Sequence, residues 1–391
     1  MIGFDEAWAI VAGHAAGLEP EQVSLADAHG RTLAKTVFAL VDWPPANVSA
    51  MDGYAVRDGD AGSLRLVGES WPGVGFTGGI GQGECVRIFT GAPVPAGADR
   101  VVMQENVARD GDRVTFTAPP SAGRHIRQQG SDFHAGEPLL RAGRRLDAQA
   151  MVAAAGADVA QVTVWRRPRA TIIGTGDELV APGTARGTSE SIPESVSFGV
   201  AAIIAEWGGE TISRRRVRDD PALIGEVAAE ALEASDLVVV TGGASVGERD
   251  FSRSVLVSLG LDLLFEKVSI KPGKPVWFGR AGGTLVLGLP GNPTSAMVTA
   301  RLLLAPLVAG LAGRDPRVAA RWQSVRLAAP LGACGDRETF VRAVRDDDGV
   351  RPIGNQDSGA QKSLADANAL IRQRAGTAAL DIGALAEVID F

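Results

Sequence analysis

The stretch LVVVTGGASVGERDFSRSVLVSL, residues 237–259, decides the fold. Its first four residues form an unbroken aliphatic run, which suits a strand buried on both faces. A glycine-rich turn over 241–250 breaks that run. Phe251, Val255, Leu256 and Leu259 then recur at helical spacing. Strand, polar loop and helix make the repeating unit of a layered α/β domain, and the unit recurs on both sides of this stretch. Predicted strands at 171–173, 211–217, 263–270 and 285–287 alternate with predicted helices at 197–207, 222–234 and 294–311. This pattern argues for a mostly parallel sheet in a three-layer domain.

Moving outward, the texture changes. Residues 4–17 carry an amphipathic helical pattern and 33–41 read as a strand. From 43 to 140 the chain is short β-rich runs cut by glycine and proline, with no long helical pattern. A helix at 148–155 and a strand at 159–165 return to the opening segment, so the all-β module is an insertion. Beyond 314 short strands recur. The expected division is 1–42 with 141–166 as an extended α+β linker, 43–140 as the inserted β domain, 167–314 as the α/β domain, and 315–391 as a small β-barrel-like domain.

The chain has 391 residues, with 46 acids against 39 bases, so a nucleic-acid binder with a broadly basic face is excluded as a reading. Only five of those bases are lysines, and three of the five, Lys267, Lys271 and Lys274, lie within eight residues. Cys85 and Cys334 stand far apart and the four histidines show no ligand spacing, which indicates neither a disulfide framework nor a zinc site. The opening residues lack the basic and apolar regions of a signal peptide, and no uninterrupted apolar run reaches about 18 residues. The expectation is a cytoplasmic protein with no membrane partner.

In an open α/β sheet, ligands bind beyond the carboxyl ends of the strands. Five polar, glycine-rich segments follow the predicted strands: 174–178, 218–220, 241–250, 271–275 and 288–293. Any one of them reads most simply as a turn, but together they predict a binding crevice at one rim. Gly242 to Gly247 has phosphate-loop spacing, yet Glu248-Arg249 replaces the Lys-Ser/Thr that a nucleotidase needs. Asn292-Pro293 reads as a helix cap followed by proline at the first helical position. Asp177, Glu178, Asp219, Asp220, Glu248 and Asp250 offer the hard oxygens that magnesium accepts, and the lysine cluster offers compact positive charge. Acid–metal and lysine–oxyanion chemistry together point to a phosphate ester or anhydride. In the inserted module, Ser49-Ala-Met-Asp-Gly-Tyr-Ala55 holds the only tyrosine, and spacing alone assigns it no more than a hairpin bend.

These segments resemble the molybdopterin molybdenumtransferase family, the MoeA-type proteins and the E domain of gephyrin. The likeness runs through Ser49–Ala55, Thr90-Gly-Ala-Pro-Val-Pro-x-Gly-Ala-Asp99, Gly174-Thr-Gly-Asp-Glu-Leu179, Thr241-Gly-Gly-Ala-Ser-Val-Gly-x-x-Asp250, Lys271-Pro-Gly-Lys-Pro275, Gly288-Leu-Pro-Gly-Asn-Pro293 and Ser358-Gly…Ala367-Asn368, in that order. The resemblance implies magnesium-dependent insertion of molybdate into adenylylated molybdopterin with release of AMP. It implies a homodimer whose crevice lies between the α/β domain of one subunit and the inserted domain of the other. Carried over by motif, Asp52, Glu178, Asp250 and Lys271 are catalytic, and Glu178, Asp219 and Asp250 hold the metal. Thr90, Asp132, Gly243, Ser245, Gly247, Lys267, Lys274, Pro290, Pro293, Arg342 and Ser358 bind substrate. Molybdopterin adenylyltransferase and molybdoenzyme-maturation proteins are the implied protein partners.

One departure stands out. The family commonly has Asp-Ser-Asn where this chain has Glu194-Ser195-Val196, and valine supplies none of an amide's hydrogen bonds, though Ser195 is able to cap the following helix. Two rival readings stand beside the resemblance. One is the related molybdopterin adenylyltransferase, which has Gly-Gly-Thr-Gly at the glycine loop and lacks both β domains. The other is a non-catalytic scaffold of the same fold, against which the charged crevice argues.

Overall fold

The computed structural model describes residues 1–187, 189–242 and 251–391. Its centre is a six-stranded sheet in the order Glu210–Val217, Arg169–Thr175, Leu237–Thr241, Thr284–Leu289, Trp277–Ala281, Leu261–Phe265. The first four are mutually parallel, and only Trp277–Ala281 runs against its neighbours. Alternate residues of each strand enter different cores. Ile172, Val239 and Leu287 pack under the helix Val196–Glu206 and the apolar helix Pro293–Leu311, while Ile173, Val238 and Val286 pack under Pro221–Ala234 and Phe251–Ser258. The α/β domain is therefore three-layered. Pro293–Leu311 is long and apolar enough to cross a membrane, yet 94% of it is buried in the protein, as befits a core helix.

Two expectations for this domain need correction. The run 263–270 is not one strand. It ends at Phe265, and Ile270–Lys271 pairs instead with Glu338–Asp346 in the C-terminal sheet. The strand Trp277–Ala281 was not foreseen, although Gly282-Gly283 between apolar runs is a hairpin signature and Ala281 does pair with Thr284.

Near the N-terminus, Pro20–Ser24 pairs with Gln161–Trp165 and Val37–Phe38 with Pro138–Leu140, so the intervening chain leaves and returns as an insertion. The run 33–41 is shorter than foreseen, with isolated bridges at Thr32 and Leu33 before Val37–Phe38. The inserted module carries its own six-stranded sheet. Helix Phe4–His14 packs elsewhere: Phe4, Ala7 and Val11 join the core of the α/β domain together with Phe340, Leu370 and Ile389 of the C-terminal domain. That last domain curls on itself. The bridge between Leu327 and Val350 ties the end of Gln323–Arg326 to Gly349–Pro352 and closes the strand order into a ring, which is the barrel-like form.

Candidate active site

The parallel strands end level with one another, since Thr175 pairs with Val217 and Thr241 with Leu289. The loops beyond them touch, and glycine is what permits it. Gly242 has φ +88° and a Cβ there would lie 2.3 Å from the Thr175 carbonyl oxygen, while a Cβ on Gly291 would lie 3.3 Å from the Gly242 Cα. These loops enclose a cavity of about 430 Å³ whose walls include Glu178, Asp219, Gly242, Pro290, Asn292 and Pro293.

The acids divide by role. Glu178 and Asp219 line this cavity, Asp219 half-buried. Asp177 accepts a hydrogen bond from the Asp219 N–H at 3.2 Å and so shapes the turn that presents it. Asp220 caps the helix Pro221–Ala234, accepting from the N–H groups of Ala222 (2.8 Å) and Leu223 (3.3 Å). Gly243, Ser245, Gly247, Glu248 and Asp250 lie outside the described residues.

The lysines do not converge on the same walls. Lys271 and Lys274 line a second, larger cavity of about 1070 Å³, formed between residues 271–275 and the C-terminal domain, and Pro275 is shared by both cavities. Lys267 lines neither; its carbonyl accepts from the Ile2 N–H. The single rim expected from the sequence is thus two adjoining chambers, one acidic and one basic. The reason is the detour of Ile270–Lys271 onto the C-terminal sheet.

Ser358 joins the chambers. It lines the basic one, its hydroxyl accepts from the Asn292 side-chain amide at 3.1 Å, and its carbonyl accepts from the Thr294 N–H. Asn292 therefore sits at the cap position, with Pro293 at the first helical position as read, but its side chain does not cap the helix. Arg342 is 1% exposed. Its guanidinium donates to the Thr294 hydroxyl and to the carbonyls of Asn355 and Asp357, so it braces this junction. Burial pulls its pKa below the ordinary arginine value.

Glu194 is a wall of the acidic cavity that the sequence reading passed over. Buried, it accepts from the Ser197 N–H (2.7 Å) and hydroxyl (2.6 Å), whereas Ser195 makes no capping bond. The longer acid thus does the capping expected of Ser195, and Val196 turns into the core. An acid three residues ahead of a serine at a helix start was the available signal.

Asp52, Thr90 and Asp132 lie in the inserted module and line neither chamber. Asp52 Oδ1 accepts from the Thr90 N–H (2.7 Å) and hydroxyl (2.8 Å). The backbone donor first, then the hydroxyl, hold its carboxyl below the usual range, and the charge of Arg87 adds to the effect. Asp132 is exposed, its N–H bonded to the Trp43 carbonyl.

Known proteins match the chain along nearly its whole length. Residues 2–157 match the family model of the MoeA N-terminal region (domain I and II), 171–310 that of a probable molybdopterin binding domain, and 324–391 that of the MoeA C-terminal region (domain IV). A molybdopterin molybdenumtransferase of Nostoc sp. is 35% identical over 372 residues, covering 90% of this chain and 84% of its own. The molybdopterin molybdenumtransferase 2 of Mycobacterium tuberculosis is 32% identical over 385 residues, 93% of each chain. The chain belongs to the molybdopterin molybdenumtransferase family. A crystal structure of the molybdopterin biosynthesis MoeA protein from Pyrococcus horikoshii OT3, 26% identical, superposes with a TM-score of 0.85 over 100% of both chains. The protein is an enzyme of the molybdopterin molybdenumtransferase type, acting in molybdenum cofactor biosynthesis.

Among the described residues, no group of three or more histidine, cysteine, aspartate or glutamate side chains is placed to share one ion. Glu178 and Asp219 nevertheless line one polar chamber. Magnesium is commonly held by one or two carboxylates, with substrate phosphates and water completing its shell, so this donor set fits.

Proposed function

We propose that the enzyme inserts molybdenum from molybdate into adenylylated molybdopterin, with magnesium-dependent cleavage of the phosphoanhydride and release of AMP. The observation that carries this reading is the pair of adjoining chambers, one walled by Glu178 and Asp219 and the other by Lys271 and Lys274. Bound there, magnesium would neutralise charge on the phosphoanhydride oxygens. Glu178 and Asp219 would hold it, with Asp250 as the third acid assigned by motif. Lys271 and Lys274 would hold molybdate as a tetrahedral oxyanion through compact ammonium groups. The hydrogen bond from Asn292 to Ser358 links the walls of the two sites. The N-terminus of the helix Pro293–Leu311 adds a favourable field for phosphate.

We read the working unit as a cytoplasmic homodimer that takes small-molecule substrates and exchanges them with an adenylyltransferase and with molybdoenzyme-maturation proteins. The absence of Asp52, Thr90 and Asp132 from both chamber walls supports completion of the crevice by a second copy. The test follows AMP release and reconstitution of an apo-molybdoenzyme from adenylylated molybdopterin, magnesium and molybdate. Glu178→Gln and Asp219→Asn are each expected to slow AMP release about 100-fold while substrate still binds, and chelation of magnesium to stop it. Undiminished release by both variants would remove the acidic chamber from the reaction.

A further inference from the structure

Trp71 is 47% exposed, an unusual place for the largest apolar side chain. It is nevertheless held from three sides. Its ring stacks on Phe89 with centroids 3.7 Å apart and planes at 21°. Its indole N–H donates to Glu69 Oε2 at 3.2 Å, and its backbone exchanges two 3.0 Å hydrogen bonds with Val74. Phe89 is fixed in turn by the Arg87 guanidinium, 4.8 Å over its ring, and Arg87 is anchored to the Gly53 carbonyl and to Gln104. A rigid indole that keeps an open face loses little entropy when a planar partner lies on it.

The location supplies the rest. Phe89 precedes Thr90, the residue bonded to Asp52, and Arg87 pairs with Tyr54 across the strands, two residues from Asp52. The group beside the indole is an acceptor, the Glu69 carboxylate, and a second lies along the strand through Phe89 and Thr90: Asp52 Oδ2, which takes no hydrogen bond among the described residues. Arg87, the cation beside the rings, is engaged by Gly53 and Gln104. An aromatic face with a carboxylate acceptor at its edge suits a flat heterocycle bearing amino or ring N–H donors and disfavours a phosphate.

We propose that Trp71, backed by Phe89, is a stacking platform for a planar, amino-bearing nitrogen heterocycle of the nucleotide substrate. The proposal rests on the reading that the substrate is adenylylated molybdopterin, which carries two such rings, adenine and the pterin. Trp71 then acts as a binding residue of the inserted domain, placing the base while the chambers of a second copy's α/β domain hold the phosphates and the oxyanion.

The experiment uses the full-length protein with magnesium and three probes: AMP, a free pterin, and ribose 5-phosphate, which lacks a base. Trp71→Ala is expected to weaken binding of AMP or of the pterin by roughly 5- to 100-fold, with ribose 5-phosphate unaffected and the thermal midpoint unchanged. Trp71→Phe should retain most of the affinity. Whichever ring responds identifies the occupant. Unchanged affinity for both rings would overturn the platform. So would a changed oligomeric state in Trp71→Ala, which would make this face a contact between copies. If the wild-type enzyme releases no AMP from adenylylated molybdopterin, the substrate reading falls, and the platform with it. If it does release AMP and only the Trp71 comparison fails, the platform alone is wrong.

Discussion

Asp52 illustrates how a single residue is prepared locally. Two donors from Thr90 converge on one of its oxygens, and stabilising the ionised form lowers the proton affinity. A carboxyl depressed in the folded state contributes stability above its unfolded value and loses it as pH falls through the folded one. Thr90→Val removes the hydroxyl donor and keeps the backbone donor. Its Asp52 carboxyl should titrate at higher pH than in the wild type, as read by NMR of the side-chain carboxyl, and an unmoved titration would show that the hydroxyl contributes nothing. Cys85 shows the opposite case: burial pushes its thiol up to about 12, so it stays a neutral core residue.

At the scale of elements, caps and hairpins decide how the loops are presented. The helix Val196–Glu206 is started by Glu194, whose carboxylate both satisfies Ser197 and walls the acidic chamber. Glu194→Ala should destabilise the enzyme by about 1–2 kcal/mol in denaturant unfolding, while Ser195→Ala should stay within about 0.5 kcal/mol. Equal effects of the two would return the cap to Ser195. The alternation of strand and helix from 169 to 311 was readable because each element is long enough to show its period. The strand Trp277–Ala281 was hidden because Lys-Pro-Gly-Lys-Pro ahead of it resembles a simple loop, and its run of buried residues carries no alternation.

Across the whole molecule, the C-terminal domain is pinned to the α/β domain by contacts from distant parts of the chain. Phe4 stacks edge-on against Phe340 at 4.8 Å, Arg372 reaches Asp5 at 2.6 Å, and Arg342 spans from Thr294 to the 355–357 carbonyls. Arg342→Met leaves the fully buried Thr294 hydroxyl without its guanidinium partner, so a loss of about 1–3 kcal/mol is expected. Faster hydrogen exchange at 355–358 should accompany it, with the α/β sheet unchanged. Uniform loosening of the whole chain would mean that Arg342 is no local brace.

The residues alone determined the α/β layering, the inserted β module, the ring of polar loops and the family, because hydrophobic period and motif order are local properties of a chain. Tertiary structure decided the rest. It separated acids from lysines into two chambers, bonded Arg342 to Thr294 and the 355–357 loop, and gave the cap to Glu194. It also left Asp52, Thr90 and Asp132 away from both chamber walls. Each of these depends on which distant segments share a strand edge or a buried junction, and a hydrogen bond across 52 residues, as from Thr284 to Leu232, or across 66, as from Asn292 to Ser358, leaves no trace in sequence spacing.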